Sequence, residues 1–150
     1  MTEMLDQDNR VRLAVYAHFI DTGERPGVKD LSDRLGLSPE AVEDSLRRLG
    51  SQRVLVLEEG STDIRMAMPF SGVPTGFRVE TPRGGWWANC AWDALGIAAM
   101  LQVDARVETR CEDCGDALTV TVEQGRLTGG EGVIHFAVPA ACWWEDIVYT

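Results

Sequence analysis

The stretch Trp86-Trp87-Ala88-Asn89-Cys90-Ala91-Trp92-Asp93-Ala94-Leu95-Gly96-Ile97-Ala98-Ala99-Met100-Leu101 constrains the chain more than any other. It is the longest apolar run, rich in helix formers, and it lies between Gly84-Gly85 and Val103-Asp104. The composition predicts a central helix over this run, with Ile97, Met100 and Leu101 continuing a buried stripe. Asn89 and Asp93 interrupt it, and its length falls short of the roughly 20 apolar residues that a bilayer demands. In a helix Cys90 and Asp93 share a face, being three residues apart. The helix N-terminus favours a thiolate, and an enclosed carboxylate can hold or pass a proton. A buried cysteine is usually a small hydrophobe, but a lone buried carboxylate is costly. That cost makes the pair a candidate reactive centre.

A chain of 150 residues, 45% hydrophobic and 25% charged, has the composition of a globular protein with a real core. Its net charge of −10 repels polyanions on average. Met1 to Asn9 is polar and acidic rather than a basic, apolar leader, so a cytoplasmic location and no membrane partner are expected. In that compartment, four cysteines favour thiol or metal chemistry over a disulfide framework.

Helical patterns occupy Val11 to Ile20, after Asp8-Asn9, and Val28 to Leu35, before Gly36. A third begins at Ser38-Pro39-Glu40, an N-cap followed by proline, and turns Ala41, Val42, Leu46 and Leu49 inward before Gly50. Val54–Leu57 and Ile64–Met68 read as two strands around Glu58-Glu59-Gly60-Ser61. Three helices and a β-hairpin are the order of a winged helix, and residues 30–49 resemble that class. Nucleic acid is nevertheless not an expected partner. Residues 1–60 hold eight Lys/Arg against twelve Asp/Glu, and the third helix leads with Glu40, Glu43 and Asp44.

Pro69 to Gly76 is rich in turn residues and reads as a linker or lid-like loop. Phe77–Glu80, Ala105–Thr109, Leu118–Val122 and Val133–Val138 read as strands, and Trp143–Val148 as a short closing helix. Cys111-Glu112-Asp113-Cys114-Gly115 forms a knuckle between two strands. Cys90 and His135 could complete a tetrahedral site there, but nothing in the spacing demands them, so zinc is not expected. A soft-metal role for the thiols stays open. His135 reads as a half-buried or surface strand residue. The tryptophans are expected in the core or, like Trp87 and Trp92, walling an apolar pocket beside Cys90.

Three stretches, WANCAWDALGIAAML, ARVETRC and VIHFAVPAACWW, together resemble the alkylmercury lyase (organomercurial lyase) family, and the N-terminal region resembles that family's architecture. The resemblance covers nearly the whole chain. It implies protonolytic cleavage of a carbon–mercury bond, with Cys90 binding the metal as a thiolate and Asp93 delivering the proton. It assigns Cys111 a structural part. The family's second catalytic cysteine lies four residues before the strand histidine, and here that position is Glu131. Cys142, after the same strand, is the nearest substitute.

The expected architecture is α+β. A winged-helix-like region with its hairpin spans residues 1–68, and a mixed domain of antiparallel strands packed on the central helix spans 69–150. The leading site is Cys90, Asp93 and Glu131, with Trp87, Trp92, His135 and Cys142 around the substrate and Cys90, Cys111 and Cys114 as metal-binding thiols. No cofactor is required, and mercury enters as substrate or product. Two other readings remain at this point. One is acid–base or nucleophilic chemistry by Cys90, Asp93 and Glu131 on a small organic molecule. The other is a non-catalytic metal sensor or DNA-binding regulator.

Overall fold

A computed structural model describes residues 1–149, the side chain of Thr2 aside. The architecture is α+β. Helices α1 (Thr2–Thr22), α2 (Val28–Leu35) and α3 (Pro39–Ser51) come first. A small antiparallel sheet follows, made of β1 (Val56–Leu57), β2 (Ile64–Ala67) and β3 (Phe70–Ser71). The larger sheet contains β4 (Arg78–Thr81), β5 (Gly84–Trp87), β6 (Ala105–Arg110), β7 (Ala117–Glu123) and β8 (Arg126–Gly129), in the order β5-β4-β6-β7-β8. Helix α4 (Ala91–Leu101) connects β5 to β6, and a 3-10 helix, Ala140–Glu145, lies near the C-terminus.

Local chemistry explains most boundaries. Ser38 Oγ accepts the Ala41 N–H at 3.3 Å and Pro39 opens α3, as the sequence predicts. Gly23 and Gly36 end α1 and α2 in the left-handed conformation that glycine adopts without penalty. Helix α1 begins well before Asp8-Asn9. Asp8 is instead a buried helix residue whose carboxylate takes Arg48 Nη2 at 2.7 Å and Nε at 3.0 Å, tying α1 to α3.

Three expectations need correction. The apolar run is not one helix: Trp86 and Trp87 belong to β5, and α4 begins only at Ala91. Periodicity cannot separate a buried strand from a buried helix, and the Thr81–Gly84 turn commits the tryptophans to pairing with β4. Met100 is 43% exposed, so the inward stripe of α4 is Ala94, Ile97 and Ala98. Val133–Val138 forms no strand. Val133 is 92% and Ile134 41% exposed, so its alternating residues have no buried face that pairing would cover.

The Pro69–Gly76 loop is more than a linker. Its β3 carries buried Phe70 and Ser71, and Phe70 stacks on Phe19 of α1 at 5.3 Å between centroids. Trp86, only 1% exposed, donates its indole N–H to the Phe19 carbonyl at 2.6 Å. The apolar core therefore runs from α1 through Phe70 and Trp86 to α4 and the large sheet as one cluster. No helix is long and apolar enough to cross a membrane among the described residues.

Candidate active site

Cys90 is the N-cap of α4. It adopts extended backbone, and its Sγ accepts the Asp93 N–H at 3.4 Å. A cap sulfur thus faces the first turn, which carries the Asp93 carboxyl group. The two groups converge through N-cap geometry rather than by sharing a helix face. They sit at the edge where β5 turns into α4, close to the Met68–Phe70 segment.

Asn89 completes the arrangement. Its Nδ2 donates to Asp93 Oδ2 at 2.9 Å, and it also reaches the carbonyls of Pro69 at 3.3 Å and Phe70 at 3.2 Å. Asn89 Oδ1 is buried and unpartnered. On the far side of the same segment, the Tyr16 hydroxyl donates to the Met68 carbonyl at 3.0 Å. Tyr16 is close enough to feel the charge of Asp93, so α1 contributes to the surroundings of the acid. Sequence reasoning names Cys90 and Asp93 but misses Asn89 and Tyr16. The available signal was a polar amide inside an apolar run, which has to find partners when it is buried.

Burial pushes the Asp93 carboxyl above the usual carboxylate range, and the Asn89 hydrogen bond pulls the other way. Burial also pushes the Cys90 thiol up. The Asp93 and Trp92 N–H groups favour the thiolate, whereas the Asp93 charge opposes it. The helix N-terminus alone predicts a thiolate at Cys90, but removal from water and a neighbouring carboxylate outweigh it. The pair is therefore a protonated thiol beside a carboxyl group of raised proton affinity.

Among the described residues no side chain of the other named residues hydrogen-bonds to this pair. Trp87 stacks under the Arg78 guanidinium at 5.0 Å, and Trp92 is 63% exposed on the first turn of α4. Glu131 and His135 are exposed, and Cys142 is half-buried within the 3-10 helix. Phe136 packs on Trp143 at 5.0 Å, and Trp143 Nε1 donates to the Val138 carbonyl at 2.8 Å, which gives this segment its own small cluster. Cys111 and Cys114 occupy the turn between β6 and β7. Among the described residues no three His, Cys, Asp or Glu side chains assemble into a metal-holding group, so Cys90 does not join that turn in one site. A groove of about 590 Å³ between α4 and the β7–β8 hairpin, lined by residues such as Leu95, Ala98 and Leu127, includes neither Cys90 nor Asp93.

A family profile described as alkylmercury lyase (MerB) matches residues 70–150, which contain β3, the Asn89-Cys90-Asp93 corner and the whole large sheet. The chain belongs to the alkylmercury lyase family. No curated protein matches it. The solved structure described as the mercury-bound form of MerB2 resembles it with a TM-score of 0.64 at 21% identity, covering 87% of this chain and 68% of that one. At that identity the likeness speaks for the shared fold, and it takes in more of the chain than the family match does. Membership of the alkylmercury lyases points to a small-molecule substrate.

Proposed function

We propose that the chain cleaves the carbon–mercury bond of a small organomercurial by protonolysis, with Cys90 taking the metal and Asp93 carrying the proton. The observation behind this reading is the Cys90 cap, whose sulfur accepts the Asp93 N–H while Asn89 holds the Asp93 carboxyl group. A soft thiolate suits a soft metal, and a carboxyl group of raised proton affinity suits proton delivery near neutral pH.

The steps follow from the protonation states. An organomercurial bound through a solution thiolate exchanges onto Cys90: the Cys90 S–H bond breaks, an S–Hg bond forms, and the departing thiolate leaves. The ionised Asp93 takes the thiol proton. Asp93 then passes that proton to the carbon as the carbon–mercury bond breaks, releasing hydrocarbon and leaving mercury on the Cys90 sulfur beside a restored carboxylate. Solution thiols remove the mercury. Asn89 orients the carboxyl group and keeps its proton affinity from rising too far to accept the thiol proton. Glu131 stands where relatives have a second cysteine, so in this reading a solution thiol supplies the second sulfur. Trp92 and Trp87 would flank the organic group.

On the same reading, residues 69–150 carry the chemistry and the helices up to residue 68 support it. No nucleic-acid partner is included. Arg47 is paired with Glu43 and Asp44, and Arg48 with Asp8, which leaves the third helix with little charge for phosphate.

Proton NMR of a simple organomercurial in excess thiol provides the test. Hydrocarbon release by the native chain that vanishes in Cys90→Ser and Asp93→Ala supports the assignment. Tight mercury binding without hydrocarbon release overturns it.

A further inference from the structure

The Cys111-Glu112-Asp113-Cys114 turn contains two thiols that cleavage at Cys90 does not use. Its frame is fixed. The Cys111 N–H donates to the Asp116 carbonyl at 2.8 Å, and the Gly115 N–H donates to the Cys111 carbonyl at 2.8 Å. Gly115 takes φ +76°, and Arg110 Nη1 fastens its carbonyl at 3.3 Å. Within this frame hydrogen bonding from the Cys114 and Asp113 backbone and from the Cys114 thiol favours the Cys111 thiolate. The Gly115 N–H bond to the Cys111 carbonyl closes the turn, so the two cysteines stand three residues apart on one short, fixed loop. Both cysteines are free, and Cys114 is exposed.

We propose that Cys111 and Cys114 form a two-sulfur site for a soft, two-coordinate cation of the mercuric type, separate from Cys90. Soft thiolates select soft ions, and a cation replacing the two thiol protons keeps the N–H···S contacts intact. Zinc needs four ligands, and no group of three or more His, Cys, Asp or Glu side chains assembles among the described residues. Exposed Glu112, Asp113 and Asp116 surround the turn with negative charge. That charge draws cations and repels anionic disulfides, which favours metal capture over thiol–disulfide exchange. The reaction balances without an oxidant. Two S–H bonds break, two S–Hg bonds form, and two protons go to the buffer. The site does not depend on the cleavage reading.

The two thiols sit on one short turn, so the second S–Hg bond forms intramolecularly, and the pair holds mercury about 100-fold or more against a monothiol competitor than a single cysteine does. The reduced full chain is given mercuric ion with excess 2-mercaptoethanol and desalted, and the bound metal is counted. One mercury per chain is expected in the native protein and in Cys90→Ser. Cys111→Ser and Cys114→Ser should each lose it, at competitor concentrations about 100-fold lower. Cys114 is exposed, so its serine variant leaves the core intact, and circular dichroism verifies this. Retention that survives both serine variants, loss in Cys90→Ser, or no retention by the native chain overturns the proposal. Stoichiometric zinc held by the same turn also overturns it.

Discussion

Cys90 and Cys111 receive the same kind of hydrogen bonds, yet their proton affinities move in opposite directions. Each sulfur accepts two backbone N–H groups, from Asp93 and Trp92 at Cys90 and from Cys114 and Asp113 at Cys111. At the exposed turn, the Cys114 N–H and its companions pull the Cys111 thiol below its usual range. At the head of α4, burial pushes the Cys90 thiol above it, and the Asp93 charge adds to the effect. A helix N-terminus is therefore not sufficient to make a thiolate. Water access and neighbouring charge decide the outcome. The difference also suits two kinds of work. Cys90 keeps a proton that Asp93 can take and pass on, whereas Cys111 has little to hold its proton.

The sharpest way to separate the two centres is to remove the reactive pair. Cys90→Ser should abolish organomercurial cleavage, and Asp93→Ala should lower kcat by about 10³-fold, within the range of general-acid deletions. NMR rates of hydrocarbon release measure both. A loss of less than about tenfold in Asp93→Ala would move the proton to another group.

Alkylation compares the thiols directly. At neutral pH and limiting iodoacetamide, Cys111 should be modified at least about tenfold faster than Cys90, as read by peptide mass spectrometry. Asp93→Asn removes the negative charge beside Cys90 and should narrow that gap. An unchanged ratio would mean that the Asp93 charge does not reach the sulfur.

Asn89→Leu deletes the donor that favours ionised Asp93, so the Asp93 proton affinity should rise further. The low-pH limb of the cleavage profile should move upward, with kcat near neutrality falling roughly threefold. Carbon-13 NMR of the Asp93 carboxyl group reads the shift without turnover. A downward shift would reverse the role given to Asn89.

The smallest effect is on stability. The folded chain binds the Asp93 proton more tightly than the unfolded chain does. Stability contributed by protonated Asp93 is present below the ordinary carboxylate range and is lost as pH rises through the folded value. At neutral pH the native chain therefore carries a cost that Asp93→Asn relieves, and Tm should rise by about 2–4 °C. Calorimetry at pH 7 and pH 4 should show that advantage shrinking at the lower pH.

Much of the fold was legible because short-range chemistry announces it. Ser38-Pro39 starts α3, Gly23 and Gly36 stop helices, and alternation marks β6 and β7. The failures share one cause, which is that the deciding partner lies far away in the chain. Trp86 and Trp87 are strand residues because β4 pairs with them, whereas Val133–Val138 stays largely exposed and finds no partner strand among the described residues. The candidate site divides in the same way. Cys90 and Asp93 are three residues apart and can be read together, but the amide of Asn89 is also held by carbonyls about twenty residues earlier. Glu131, His135 and Cys142 were grouped with the pair through the family resemblance. No hydrogen bond among the described residues joins them to Cys90 or Asp93.

The indole of Trp86 reaches across to the last turns of α1, and Phe70 lies stacked between the two regions. Both rings are fully buried there. Heat or denaturant should thus melt helices and sheet in a single transition, which Trp86 fluorescence would follow. A truncated chain beginning after residue 68 would present both rings to water, so it should aggregate rather than persist as a small soluble catalyst.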